Sequence, residues 1–165
     1  MGRIRAEINE DFTFFVIKNY LQGADIEKSS KGGFDFIALT DHYLMAFEVK
    51  SAQKDKLSVG DVAEFIDKYS NFVVTTKFTF EGSNFIGTFS YPLKYLIFFF
   101  QPPGRKSMDD FFINFKSIVK EKLPKYAKNF HLSYVSFTNT NSRIRKQIED
   151  TVQVVLDQVN NEMLS

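Results

Sequence analysis

Apolar residues recur at Phe14, Ile17 and Leu21, with Phe15 and Val16 widening the stripe until Gly23 stops it. That spacing predicts a first helix from about Glu10. Gly32-Gly33 then opens the run Phe34 to Leu39, and a polar turn at Thr40, Asp41 and His42 leads into Tyr43 to Lys50. Two apolar runs joined by so short a turn predict a strand hairpin. Ser58 is placed to cap a helix carrying Val62, Phe65, Ile66 and Tyr69, with Asp61 and Glu64 early in it, where the helix dipole favours acids. Phe72 to Phe80, Phe85 to Phe89 and Tyr95 to Phe100 are rich in Val, Thr and Phe and are separated by Gly, Asn or Pro, so three further strands are predicted. Pro102-Pro103-Gly104 is the clearest punctuation in the chain. After it, Met108 to Tyr126 reads as a helix ending or kinking near Pro124, where the missing amide breaks the ladder. His131 to Thr138 reads as a strand, and Ser142 to Met163 carries Ile144, Ile148, Val152, Val155, Leu156 and Val159 as one helical stripe.

Helices mixed with strands in this order predict an α/β layered domain, a central mixed sheet flanked by helices. At 165 residues the chain has room for one core, so residues 1–165 are expected to form a single domain. Twenty Phe and seven Tyr supply large buried rings, which suits a chain without any Cys to cross-link it. That lack excludes a disulfide framework, thiolate zinc sites and thiol nucleophiles, and fits an intracellular, cytoplasmic location. The start, MGRIRAEINEDF, has no apolar leader, and the longest apolar run, Leu96 to Phe100, is far below the roughly 20 residues a membrane span needs, so no membrane partner is expected.

Net charge is +1, which by itself announces no polyanion. Its distribution is uneven. Residues 1–100 carry 11 basic against 13 acidic side chains, and residues 101–165 carry 10 against 7. All ten of those later basic residues fall within 105–146, against only Asp109, Asp110 and Glu121, a net of +7. Such a stretch reads equally as a surface for a polyanion or as solvated helix faces. Lys116 and Lys120 lie one turn apart, and Arg143, Arg145 and Lys146 open the last helix, where cations oppose the dipole and hint at an outside anion.

The chemistry concentrates in the predicted hairpin. Alternation puts Leu44, Ala46, Glu48 and Lys50 on one face of their strand, an apolar row that ends in a carboxylate and an ammonium. In the preceding strand Asp35 shares a face with Ile37 and Leu39. Carboxylates on adjacent strands facing one side form an oxygen-rich pocket suited to Mg²⁺, and a neighbouring Lys suits the handling of an attacking water. Taken alone, Glu-x-Lys is too short to separate that chemistry from a structural ion pair.

The longer pattern, Gly32-Gly33-Phe34-Asp35-Phe36-Ile37-Ala38 followed by Ala46-Phe47-Glu48-Val49-Lys50-Ser51 behind an acid-bearing helix, resembles the PD-(D/E)xK nuclease superfamily. Within it the pattern is most similar to archaeal Holliday-junction resolvase-like members, over roughly residues 7–75. The resemblance implies a restriction-endonuclease-like fold with a core over about 7–100 and a C-terminal strand and helix elaboration over about 105–165. It implies an endonuclease that hydrolyses phosphodiester bonds of DNA, with Mg²⁺ as cofactor, Mn²⁺ able to substitute, and a homodimer as the working form. Asp35 and Glu48 would hold the metal, Lys50 would position or activate water, and Glu10 would assist from the first helix, with Glu7 as its competitor. Ser30 falls where resolvase-like members carry a serine near the scissile phosphate, and Lys116, Lys120, Arg143, Arg145 and Lys146 are the candidate nucleic-acid contacts. Phe34 departs from the proline common before the first acid, and the Gln-x-x-x-Tyr helix motif of the RecB-like branch is missing. The alternative is a non-catalytic nucleic-acid-binding or protein-interaction module on the same scaffold. Gly104-Arg105-Lys106-Ser107 lacks the spacing of a phosphate-binding loop, and His42 and His131 stand apart from any second His, which argues against nucleotide hydrolysis and zinc.

Overall fold

The computed structural model describes residues 2–28, 35–51, 67, 77–81, 86–90, 93–101, 105–125 and 127–164. Helix α1 spans Gly2–Tyr20, followed by strands β1 (Asp25–Lys28), β2 (Phe36–Leu39) and β3 (Tyr43–Ser51). A two-stranded ribbon, β4 (Lys77–Glu81) and β5 (Ile86–Ser90), precedes β6 (Leu93–Gln101). Helix α2 (Arg105–Lys122), a 3₁₀ turn (Ala127–Asn129), β7 (Phe130–Tyr134) and α3 (Asn141–Leu164) complete the chain. The helix expected from Ser58 lies outside the described residues, except that Asp67 is helical.

Five strands form one mixed sheet in the order β1-β2-β3-β6-β7, antiparallel from β1 to β3 and parallel from β3 to β7. The β2–β3 turn is held by Thr40, whose Oγ1 accepts from the N–H groups of His42 and Tyr43 while its own N–H donates to the Tyr43 carbonyl. A short hydroxyl side chain closing its own turn is why this hairpin needs no glycine. His42 is thereby an exposed turn residue.

One face of the sheet presents Phe36, Ala38, Tyr43, Met45, Phe47, Tyr95, Ile97 and Phe99, and it is covered by α1 and α3. Val16, Ile17 and Leu21 of α1 and Ile144, Ile148, Val152, Val155 and Val159 of α3 meet it, as their helical spacing predicts. Phe36 stacks on Phe47 with centroids 4.9 Å apart, and Phe14 meets Phe36 edge-on at 5.5 Å. The other face presents Ile37, Leu39, Leu44, Ala46, Leu96 and Phe98, all buried. Helix α2 lies on that side, where Phe115 meets Phe130 of β7 at 6.4 Å and Ile118 and Val119 are buried. A mixed sheet with helices on both faces is the layered α/β architecture the sequence predicts.

Several details differ from the sequence reading: α1 begins at Gly2 rather than about Glu10, and β7 ends at Tyr134 rather than Thr138. Strand β1 was not expected. Its four residues, Asp25-Ile26-Glu27-Lys28, show one buried apolar position among charges, too little alternation to stand out, yet an edge strand tolerates them. Helix α2 begins at Arg105, three residues ahead of the expected Met108, and ends at Lys122 near Pro124 as the sequence predicts, because the residue before a proline is pushed out of helical geometry.

Candidate active site at the strand ends

The β2–β3 register pairs Ile37 with Ala46 and ends at Phe36 with Phe47, so Asp35, just before β2, and Glu48, just after Phe47, both lie at that end of the hairpin. Both are half-buried. By alternation Glu48 belongs with Ala46 to the α2 side of the sheet, and Asp35 stands just outside β2. Main-chain pairing departs from its regular pattern here. The Asp35 N–H donates to the Phe47 carbonyl at 3.0 Å, and the Val49 N–H donates to Asp35 Oδ2 at 2.7 Å. A carboxylate oxygen thus takes the place of a strand carbonyl. This charge-assisted bond fixes the side chain and engages one of its two oxygens.

Lys50 follows two residues after Glu48 in β3, in register with Phe100 of β6. Its side chain lies outside the described residues, as does Ser30 altogether. Glu10 is half-buried in α1, one turn before Phe14. Asp11 pairs with Lys28 at the end of β1, and the Lys28 ammonium sits 5.3 Å from the Phe14 ring centroid. Since Lys28 pairs with Phe36, this part of α1 lies at the same end of the sheet as Asp35 and Glu48. It covers the opposite face, however, and no group of three acids or histidines fit to hold a metal occurs among the described residues. Asp35 and Glu48 lie at one end of the β2–β3 hairpin, and Glu10 lies toward that end on the helix that covers the opposite face. The side chain of Glu7 lies outside the described residues.

The basic candidates separate into two groups. Arg143, Arg145 and Lys146 are exposed in the first turns of α3. Phe137 anchors the loop before that helix, its N–H donating to Gln101 Oε1 at 2.9 Å, and Gln101 is the last residue of β6, opposite Ser51. The start of α3 therefore lies at the acid-bearing end. Lys116 and Lys120 are exposed on α2 just beyond Phe115, which packs on the first residue of β7, so they lie toward the other end.

Two polar features escaped the sequence reading. Lys94, near the start of β6, is 3% exposed, and its Nζ has no hydrogen-bond partner among the described residues. Burial holds its ammonium below the usual lysine range. The visible signal is a lone Lys at an inward position of an otherwise apolar strand. The second feature is a cluster under the last turns of α3. Tyr95 donates its hydroxyl to Glu162 Oε2, and Lys128 pairs with Glu162 Oε1 at 3.0 Å. Gln158 donates to the Lys128 carbonyl at 2.9 Å and meets His131 Nε2 at 2.8 Å. Burial, reinforced by Glu162, pushes the Tyr95 phenol far above its usual range. Burial likewise pushes the His131 imidazole down, against the bonds to Gln158 and the Lys128 backbone. At Glu162 burial acts upward, but bonds from Tyr95, Lys128 and Gln158 outweigh it and hold the carboxyl below its usual range. A cluster so satisfied fastens α3 to β6 and β7.

Comparison with protein-family models, with curated proteins and with solved structures finds no match to this chain.

Proposed function

We propose that the protein is a metal-dependent endonuclease hydrolysing phosphodiester bonds of DNA, with the resolvase-like, restriction-endonuclease-like scaffold that its sequence resembles. The observation that carries this reading is that Asp35 and Glu48 lie at one end of the β2–β3 hairpin, with the Asp35 carboxylate bonded to the Val49 N–H next to Glu48. The strand order supports it too, with three antiparallel strands after a first helix and then parallel strands.

Two carboxylates fit Mg²⁺, which commonly takes one or two protein carboxylates and fills its remaining positions with water and substrate phosphate oxygens. Asp35 and Glu48 would hold it, and Mn²⁺ is expected to substitute. When bound, the metal polarises the phosphodiester and offsets the charge of the departing oxygen. The chain's own contributions are distinct. The Val49 N–H orients the Asp35 carboxylate before any ligand arrives. Lys50 would position the attacking water through its ammonium or, as the neutral amine, take the water's proton, and Glu10 would assist from the middle of α1. A working homodimer belongs to the same proposal.

One observation favours a second reading, a non-catalytic nucleic-acid-binding or protein-interaction module. The Asp35–Val49 bond gives that carboxylate a structural task, so it has a reason to be present without a metal. Nicking of plasmid, linear and branched DNA with Mg²⁺ or Mn²⁺ separates the two. The endonuclease cleaves at least one substrate. Glu48→Gln and Lys50→Ala reduce cleavage by about 10² or more, the scale of losing a charge-stabilising or proton-transferring group, and Glu10→Gln reduces it less. Equal cleavage by all variants overturns the site, and no cleavage by the parent on any substrate leaves the module.

A further inference from the structure

The five-stranded sheet has two outer strands, and their chemistry differs. Strand β1, Asp25-Ile26-Glu27-Lys28, carries three charged residues in four, a common protection of an open edge. Strand β7, Phe130-His131-Leu132-Ser133-Tyr134, has no Pro, and the chain holds no Lys, Arg, Asp or Glu from Asn129 to Ser142. The inner side of β7 pairs with β6. Among the described residues no strand lies on its outer side, and no side chain or loop bonds to the backbone of Phe130 to Ser133. An edge strand turns a row of amides and carbonyls outward, and an extended chain is what satisfies such a row.

The strand is complementary to itself. Its register with β6 puts Phe130, Leu132 and Tyr134 on the face of Leu96 and Phe98, and His131 and Ser133 on the face of Ile97 and Phe99. An antiparallel copy related by a two-fold axis through Leu132 would set Phe130 against Tyr134 of the partner subunit and His131 against Ser133 of the partner subunit, apolar with apolar and polar with polar. The helix above supports the same pairing. Thr151 and Gln158 of α3 bond to Ser133 and His131, and Val154, three residues after one and four before the other, shares their side of the helix yet is 58% exposed. An apolar side chain thus stands beside the open edge. Charge selects the orientation. Helix α3 opens with exposed Arg143, Arg145 and Lys146, whereas residues 147–165 hold Glu149, Asp150, Asp157 and Glu162 and no Lys or Arg. The two-fold axis that reverses β7 also reverses α3. Each basic start then lies toward the acidic part of the other helix, and the two helix dipoles oppose.

We propose that β7 is a self-association edge, pairing antiparallel with β7 of a second copy of this chain, so that the two five-stranded sheets join into one with both α3 helices antiparallel on the same face. This gives the homodimer of the proposed function its surface, and it rests on that reading only for the dimer as the working form. The two Glu48 carboxylates then lie on one face of the joined sheet, at opposite ends. Sedimentation velocity of the full chain over a concentration series tests the pairing. The parent forms a dimer of twice 19.1 kDa in equilibrium with monomer, and added salt weakens it. Leu132→Lys sets two ammonium groups across the axis and weakens dimerisation at least about tenfold. Val154→Lys, at an exposed position outside the core, weakens it about threefold or more, and Glu27→Lys on the opposite edge leaves it unchanged. Circular dichroism of each variant matching the parent confirms the fold. Hydrogen exchange of the β7 amides slows as the dimer forms. A parent that stays monomeric at every concentration overturns the pairing, whether its β7 amides are protected or open, and so does a dimer that both Leu132→Lys and Val154→Lys leave intact. Cleavage of DNA by a monomeric parent overturns the edge alone, and a β7-dependent dimer that cleaves nothing overturns the hydrolase alone.

Discussion

Lys94 is the residue whose placement is hardest to reconcile with local chemistry, since a buried amine with no hydrogen-bond partner among the described residues destabilises whichever form it takes. Its folded-state pKa is lowered from 10.5, so the unfolded chain binds the proton more readily. The cost is absent above 10.5, grows as pH falls below it, and levels off once pH passes the folded value. Lys94→Met keeps the length of the side chain and removes the amine. It is expected to raise stability at pH 7 by about 1–3 kcal/mol and by less at pH 10, measured by urea unfolding at the two pH values. A variant no more stable than the parent at pH 7 shows that the amine has a partner in solution. Asp35, by contrast, has a hydrogen-bond partner. Its Oδ2 satisfies the Val49 N–H, and Asp35→Asn, which keeps an oxygen in place but not its charge, is expected to cost about 1 kcal/mol at most.

At the scale of elements, α3 is held along its length by two kinds of contact. Ile148, with no exposure, sits at the centre of its apolar stripe, and Ile148→Ala is expected to cost about 2–5 kcal/mol through lost contacts and a cavity, whereas Val154→Ala, on the exposed face, changes little. Thermal unfolding of the pair distinguishes them. The far end is fixed by Tyr95, His131, Gln158, Lys128 and Glu162. The His131 pKa is lowered from 6.5 and that of Glu162 from 4.5. For both, the unfolded state takes up protons first, so stability falls as pH drops below about 6.5 and falls further below about 4.5. Glu162→Gln flattens the lower part of that acid limb and lowers neutral stability by about 1–2 kcal/mol, as read from unfolding midpoints across pH. The helical stripes were readable because burial repeats every three to four residues. Strand β1 was not, because its pairing with β2, rather than any pattern of its own, makes it a strand.

For the whole molecule, the decisive relation is between the sheet edge and what surrounds it. Should Asp35 and Glu48 hold a divalent ion, Mg²⁺ at ten times its dissociation constant stabilises the parent by about 1.4 kcal/mol, raising the melting temperature by roughly 3–6 °C in a protein of this size. Glu48→Gln abolishes the rise. A melting temperature indifferent to Mg²⁺ and Mn²⁺ in the parent argues for the module reading. The sequence alone determined the elements with strong periodicity and the β2–β3 hairpin, because alternation and helical spacing are local properties written residue by residue. A charge closing an apolar strand, as Glu48 does in β3, is likewise visible without coordinates. Only the tertiary structure decided that the helix bearing Glu10 covers the opposite face and that Lys116 and Lys120 lie toward the far end. Those relations depend on strand order and helix direction, which are set by packing between segments remote in the chain and leave no local trace.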